Sequence, residues 1–348
     1  MSLKSSTRLR THRYTLELKH QFTIANNSRA TTPVVILELE SEGFTGYGEA
    51  SLPPYLPEKQ ESVEHFLSLV PTSLELENIE QCLGIVDRLA TENHAAKAAF
   101  DIALHDWYGK KIGKAWHQIW GLDLGRIPTT SFTIGIDTRE GVQRKVPEAA
   151  DYRTIKVKLG GPNDREILSA IREVTDKPLR VDANQGWTER NEALKNIEWC
   201  AGQGVELVEQ PMPRDRLDDH QWLTQRSPIP IIADEAVQRL TDIAIVAECY
   251  HGINIKLMKC TGMHEAYAMI AGARKHGLKV MLGCMTETSC AISAAAQLSP
   301  LADWIDLDGA ALVRNDPFDG ARIVNGRVTP SSKSGIGVRM KEKPFQPR

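Results

Sequence analysis

The sequence predicts an α/β protein whose larger part is an eight-stranded parallel (β/α)8-type TIM barrel. Two observations predict it. Over the last two thirds of the 348 residues, short apolar runs recur about every 25 residues, and each ends in charged or polar residues. The segments between them have helical periodicity and composition, as in Asp164 to Val174 and Glu189 to Gly202. Apolar strands alternating with helices indicate a parallel sheet with helices on its outside.

The first third of the chain reads differently. Arg8 to Ser41 alternates apolar and polar residues in the manner of antiparallel strands, and Gly43 to Glu49 reads as a hairpin entering another strand. Helical patterning follows, strongest from Ala95 to Trp107. The barrel strands then come in order: Thr129 to Ile136, Thr154 to Leu159, Leu179 to Asn184, Val205 to Pro211, Ile231 to Glu235, Ile253 to Leu257, Lys279 to Met285, and Trp304 to Gly309. Eight such strands close a barrel, and barrel active sites lie at the C-terminal strand ends.

Charge accumulates at those ends. Lys156 and Lys158 share one face of the second strand, since side chains alternate along a strand. Asp182, Glu209 and Asp234 end strands three to five, Lys256 ends strand six, and Asp306 and Asp308 end strand eight. On a circle of eight, strands two and six are diametrically opposed, so the lysines flank a central cavity. A strand-end carboxylate more often caps the next helix than binds a ligand. Three in consecutive units, bracketed by lysines, argue instead for a divalent cation that relieves their repulsion. All-oxygen donors select a hard ion, Mg²⁺ before Mn²⁺, with positions open to a substrate carboxylate.

A carboxylate bound there has its α-carbon over the barrel centre. Removing the α-proton builds an enediolate, which Mg²⁺ and Lys156 can stabilise. Lys158 on one face and Lys256 on the other give two bases, and reprotonation from the opposite side inverts the carbon. The lysines' mutual repulsion and desolvation are expected to favour their neutral forms. Asp306 and Asp308, across the barrel from the metal, can receive an ammonium. A carboxylate, an epimerisable α-carbon beside it and an ammonium a few bonds further on describe a dipeptide.

The motifs Lys156-Val157-Lys158, Val181-Asp182-Ala183-Asn184, Val208-Glu209-Gln210-Pro211, Ala233-Asp234-Glu235, Asn254 to Lys259, Gly283-Cys284-Met285 and Asp306-Leu307-Asp308-Gly309 together resemble the dipeptide epimerases. These belong to the muconate lactonising subgroup of the enolase superfamily and include L-Ala-D/L-Glu epimerases; lysine bases with Mg²⁺ and an enediolate are that superfamily's combination. The resemblance spans nearly the whole chain. It implies an enolase-type modified barrel, Mg²⁺ ligation by Asp182, Glu209 and Asp234, acid/base Lys158 and Lys256, and ammonium recognition by Asp306 and Asp308. It further implies substrate contacts from Thr133 and Met285. Residues 1–122 become an α+β capping domain, 123–316 the barrel, and 317–348 a segment returning to the cap.

Two cap loops are expected to set specificity: Phe22 to Arg29 and Ser51 to Glu58. Epimerases acting on a C-terminal glutamate tend to carry an arginine in the first loop. Here Asn26 and Asn27 are central and Arg29 follows, either reaching the pocket or capping its own loop. Pro53 to Leu56 would suit an aliphatic side chain, so hydrophobic dipeptides remain open beside Ala-Glu. Alternatives are an N-acylamino acid racemase, o-succinylbenzoate synthase or muconate cycloisomerase of the same subgroup, or a non-catalytic binding protein on the same fold.

Composition narrows the class. A net charge of −3 and the absence of basic runs exclude nucleic-acid partners. No apolar stretch reaches membrane-spanning length, and Met1 to Arg10 is polar, so neither a membrane segment nor a secretory signal is expected. Six cysteines without CxxC pairs read as reduced thiols of a cytoplasmic protein. Ten histidines in no HxH or HExxH pattern argue against zinc chemistry. A homo-oligomer is expected.

Overall fold

The computed structural model describes residues 7–25 and 27–341, so Asn26 and the tail beyond Lys341 lie outside the described residues. The chain opens with three antiparallel strands, β1 (Arg8–Ile24), β2 (Asn27–Ser41) and β3 (Phe44–Ser51), with β2 central. Val34, Val35, Ile36 and Leu37 on β2 are all fully buried. Neighbouring side chains point to opposite faces, so both faces of β2 are covered and simple alternation gives way there. The β1–β2 register breaks between Glu17 and Phe22, and beyond that break Thr23 accepts a backbone hydrogen bond from Ile136 (2.9 Å). Thr23, near the end of β1, is thereby tied to the barrel mouth.

The helix His94–Ile112 lies on β3. Gly46 and Gly48 let it approach: a Cβ at either would run into the carbonyl oxygens of Ala103 and Ala99. Carboxylates from this region cap barrel helices. Asp101 accepts from Met263 N (2.5 Å) and His264 N (3.2 Å) at the start of the helix Met263–Lys275. Glu49 accepts from Thr288 N (2.9 Å) and Ala291 N (3.2 Å) at the start of the helix Ser289–Ala296.

Eight parallel strands follow: β4 (Ser131–Ile134), β5 (Thr154–Lys158), β6 (Leu179–Asp182), β7 (Val205–Glu209), β8 (Ile231–Ala233), β9 (Gly252–Lys256), β10 (Lys279–Gly283) and β11 (Trp304–Asp306). Each pairs with its sequence neighbours, in the order β4 to β11. The helices Asp164–Arg172 and Arg190–Gly202 stand where periodicity puts them.

The barrel is nearly closed. Among the described residues β4 and β11 share no backbone ladder, and side chains bridge the seam instead. Leu307 N donates to Thr130 Oγ1 (2.9 Å), Ser131 Oγ to Asp306 Oδ1 (2.6 Å), and Thr133 N to Asp308 Oδ2 (2.6 Å). Because β11 ends at Asp306, Asp308 sits in the turn beyond it rather than on the strand.

After the barrel, Phe318–Asp319 pairs with Arg339–Met340, and Ile336 N donates to Asp106 Oδ1 (3.0 Å) on the helix His94–Ile112. No helix among the described residues is long and apolar enough to cross a membrane.

Candidate active site

Parallel register aligns the charged strand ends. Lys158 stands opposite Asp182, Asp182 opposite Glu209, Thr133 opposite Lys156, and Gly283 opposite Lys256. The mouth they form is a cavity of about 540 Å³, within the size of small-molecule sites. Lys156, Lys158, Lys256, Asp234, Asp306 and Asp308 line it from the barrel, and Arg29 and Tyr55 from the first domain.

Every lysine there meets a carboxylate. Lys158 Nζ donates to Asp182 Oδ2 (2.6 Å), and Lys256 Nζ to Asp234 Oδ2 (2.6 Å). Lys156 Nζ reaches Asp306 Oδ2 and Glu209 Oε2 (both 2.7 Å) and Asp182 Oδ2 (3.1 Å). Burial alone would lower Lys156 and Lys256, but carboxylates, led by Asp306 for Lys156 and by Asp234 for Lys256, hold both well above the ordinary lysine value. For Lys156 and Lys256 this corrects the expectation that desolvation and mutual repulsion favour the neutral amines: attraction at hydrogen-bond distance outweighs both. A cation held by the same carboxylates would weaken that attraction and make a neutral Lys256 accessible.

The acidic side shows the complement. Burial would raise Asp234, yet Lys256 and Lys259 hold it well below the carboxylate range. Burial and the Asp182 charge push Glu209 up. Asp182, Glu209 and Asp234 are each buried, and a ligand oxygen from each lies within 4.8 Å of the others. Glu209 Oε2 is ion-paired with Lys156 (2.7 Å). Three buried carboxylates this close together, offering only oxygen donors, fit a hard divalent cation.

Three supporting groups were less evident from sequence. Lys259, three residues beyond Lys256, bonds Asp234 Oδ1 (2.5 Å) and the Asp234 carbonyl (2.6 Å). Gln210 Oε1 accepts from Asp234 N and Ala236 N, shaping the turn after β8. Asn254 Nδ2 donates to Glu209 Oε1 (2.8 Å), with the polar Asn254 inside an apolar strand as its only signal.

On the far wall, Thr133 holds Asp308 through its backbone N–H and its hydroxyl (3.2 Å to Oδ1). Burial and the neighbouring Asp306 push Asp308 up to about 7. Met285 lines the cavity, and its Sδ accepts from the Tyr55 hydroxyl (3.1 Å).

Arg29 reaches the cavity. It is buried, with Nε on Thr32 Oγ1 (3.2 Å) and Nη2 on Thr286 Oγ1 (3.1 Å), while Nη1 has no acceptor among the described residues. The guanidinium lies over the rings of Phe22 (5.2 Å) and Tyr55 (5.7 Å). It has no carboxylate partner among the described residues. Thr286 was not anticipated, because nothing local marks a threonine after β10 as the partner of a residue 257 positions earlier.

Comparison with known proteins gives two family matches. Residues 7–121 match the mandelate racemase / muconate lactonizing enzyme N-terminal domain, and residues 137–344 the enolase C-terminal domain-like family. An L-Ala-D/L-Glu epimerase of Bacteroides thetaiotaomicron is 53% identical over 328 residues, covering 93% of this chain and 86% of that protein. A hydrophobic dipeptide epimerase of Flavobacteria bacterium is 34% identical, covering 95% and 98%. The crystal structure of the Enterococcus faecalis V583 dipeptide epimerase complexed with Mg and L-Leu-L-Tyr superposes with a TM-score of 0.90 at 31% identity, covering 97% and 99%.

Proposed function

This chain belongs to the mandelate racemase / muconate lactonizing enzyme family, and from that premise we propose that it is a Mg²⁺-dependent dipeptide epimerase. It inverts the α-carbon of the C-terminal residue, with glutamate favoured there. The observation that carries this function is the opposition of Lys158 on β5 and Lys256 on β9 across one cavity, which Asp234 of the acidic trio also lines while Asp182 and Glu209 lie buried beside it.

Asp182, Glu209 and Asp234 are the residues that would hold Mg²⁺, which when bound would offset the negative charge that grows on the substrate carboxylate. Lys158 removes the α-proton from one face and Lys256 delivers one to the other, with roles exchanged in the reverse direction. Lys156 faces the carboxylate on which negative charge grows and stabilises it. Asp306 and Asp308 take the substrate ammonium, with Thr133 holding Asp308 in place. Asp306 is already paired with Lys156, so the cost falls on the buried Asp308 beside it, and an incoming cation relieves that cost. N-acylamino acids, muconate and succinylbenzoate precursors bring no ammonium and leave it in place.

Arg29 supports the choice of glutamate. A buried guanidinium that has no carboxylate partner among the described residues gains one from a substrate side-chain carboxylate. Ile24, Pro54 and Leu56 also line the cavity and favour a second reading, a hydrophobic C-terminal residue. Six free cysteines support a reducing, cytoplasmic location.

The test is incubation with Mg²⁺ in D₂O, with mass spectrometry reporting deuterium at the C-terminal α-carbon. Exchange into L-Ala-L-Glu at least ten times faster than into L-Ala-L-Leu is expected, and Arg29→Gln should erase that preference. Exchange into L-Ala-L-Leu alone would transfer the assignment to hydrophobic dipeptides. No exchange into any dipeptide would overturn it.

A further inference from the structure

Backbone strain collects behind the acidic trio. Asn184 and Gln185 follow Asp182, Gln210 follows Glu209, and these three non-glycine residues have left-handed φ angles of 42°, 66° and 35°. Such conformations are uncommon for residues with side chains and persist only where surrounding contacts hold them. At Gln210 the contacts converge on the loops that carry the trio.

Its backbone joins two neighbours. Gln210 N donates to the Ile232 carbonyl on β8 (2.9 Å), and the Gln210 carbonyl accepts from Gln185 N in the loop after β6 (2.9 Å). Its side chain reaches further. Oε1 accepts from Asp234 N (2.9 Å) and Ala236 N (3.1 Å), so the residue next to Glu209 fixes the main chain at Asp234 itself. Nε2 donates to the Met212 carbonyl (3.1 Å) and to the Tyr250 hydroxyl (2.9 Å), two residues before β9. Gln210 is fully buried, and all four bonding positions of its amide are used. One residue is thus bonded to the segments that follow Asp182, Glu209 and Asp234.

The trio needs such a brace. Three buried carboxylates repel one another, and lysines pull them in different directions: Lys158 on Asp182, Lys156 on Glu209, and Lys256 and Lys259 on Asp234. Mg²⁺ tolerates little error in the spacing of its ligands, whereas Ca²⁺ accepts looser geometry. The structure assigns to Gln210 the role of a positioning residue that fixes the spacing of Asp182, Glu209 and Asp234 and thereby makes the site select Mg²⁺ over a larger divalent cation. This rests on the assignment of the trio to Mg²⁺ in the epimerase function and extends it to the residue behind the ligands.

The experiment is calorimetric titration of the wild type, Gln210→Met and Tyr250→Phe with Mg²⁺ alone and with Ca²⁺ alone, without substrate. Methionine is close to glutamine in size and bonds neither Asp234 N nor Ala236 N. Gln210→Met should weaken Mg²⁺ binding by about 10-fold or more, the scale for removing a group that orients a metal ligand, and Ca²⁺ binding by less than about 3-fold. Tyr250→Phe removes only the hydroxyl that the Gln210 amide bonds, and should move the ratio of the two affinities the same way by roughly 3-fold. A merely structural role would lower the melting temperature of Gln210→Met and leave that ratio at the wild-type value, which would overturn the positioning role with the epimerase function left intact. Where Gln210→Met does not fold, Tyr250→Phe decides, and an unchanged ratio there overturns the role equally. A wild type that binds no Mg²⁺ would overturn the metal assignment of the trio and the role of Gln210 together.

Discussion

Two sets of buried carboxylates differ in what they face. At the junction of the first domain and the barrel, Glu49 and Asp101 accept hydrogen bonds from backbone N–H groups at helix starts, and Asp106 accepts from Tyr47 N and Ile336 N. At the barrel mouth, Asp182, Asp234 and Asp306 are in direct contact with lysine ammonium groups. Burial is alike in the two sets: Glu49, Asp106 and Asp182 are all fully inaccessible. Asp106 also pairs with Lys110 (2.6 Å) and Asp101 with His105 (3.3 Å), but none of the three lines the active-site cavity and their backbone donors are fixed and cannot titrate, so the first set is structural. Lysines sit on flexible stems and exchange protons, so the second set can take a cation, a substrate and a proton in turn.

The largest expected effect breaks the mouth alone. Lys158→Ala and Lys256→Ala should each lower epimerisation by about 10³-fold or more, above the midpoint of the range for general acid–base groups. Interconversion followed by polarimetry checks it, and near-normal rates in either variant would refute the two-base assignment.

Metal linkage sharpens the contrast next. Mg²⁺ at 100 times its Kd should stabilise the folded chain by about 2.7 kcal/mol. Thermal melts with and without Mg²⁺ should show the shift in the wild type and in Asp101→Ala, and lose it in Asp182→Asn.

Asp306→Asn should reduce kcat/KM for a free dipeptide by roughly 2 kcal/mol, the scale of a buried charged hydrogen bond. The wild type should also discriminate against the N-acetylated dipeptide. Indifference to acetylation would remove the ammonium role.

The junction set should respond in stability. Asp101→Ala strands two helix-start N–H groups and should cost roughly 1–3 kcal/mol in urea unfolding. Glu49 gives the pH dependence. Burial, partly offset by its Thr288 and Ala291 bonds, raises it from 4.5 to about 7. A carboxyl raised on folding contributes stability that is full below pH 4.5 and is lost as pH rises through about 7. Urea melts from pH 5 to 8 should show that decline in the wild type and a shallower one in Glu49→Gln.

Much of this was legible in the sequence because barrel strands are short apolar runs that end in their functional residues. Lys156, Asp182, Glu209, Asp234 and Lys256 could be placed on a circle from strand order alone. What pattern does not carry is partnership across the chain. Nothing local ties Glu49 to Thr288, Arg29 to Thr286 or Gly48 to Ala99, because those contacts depend on how the first domain docks. The seam is a similar case. Eight strands predict closure, but β4 has four residues and β11 three, and Ser131, Thr130 and Thr133 bridge to β11 and the turn beyond it in place of a ladder. The charge state of Lys156 and Lys256 also needed distances, since desolvation and attraction oppose each other and only geometry decides between them.

The most direct measurement is deuterium wash-in from D₂O by Lys158→Ala and Lys256→Ala, each supplied separately with L-Ala-L-Glu and L-Ala-D-Glu. The account predicts complementary loss: each variant still exchanges the α-proton of one epimer, the two variants retain opposite epimers, and neither interconverts them. Exchange of both epimers by one variant would contradict the placement of one base on each face.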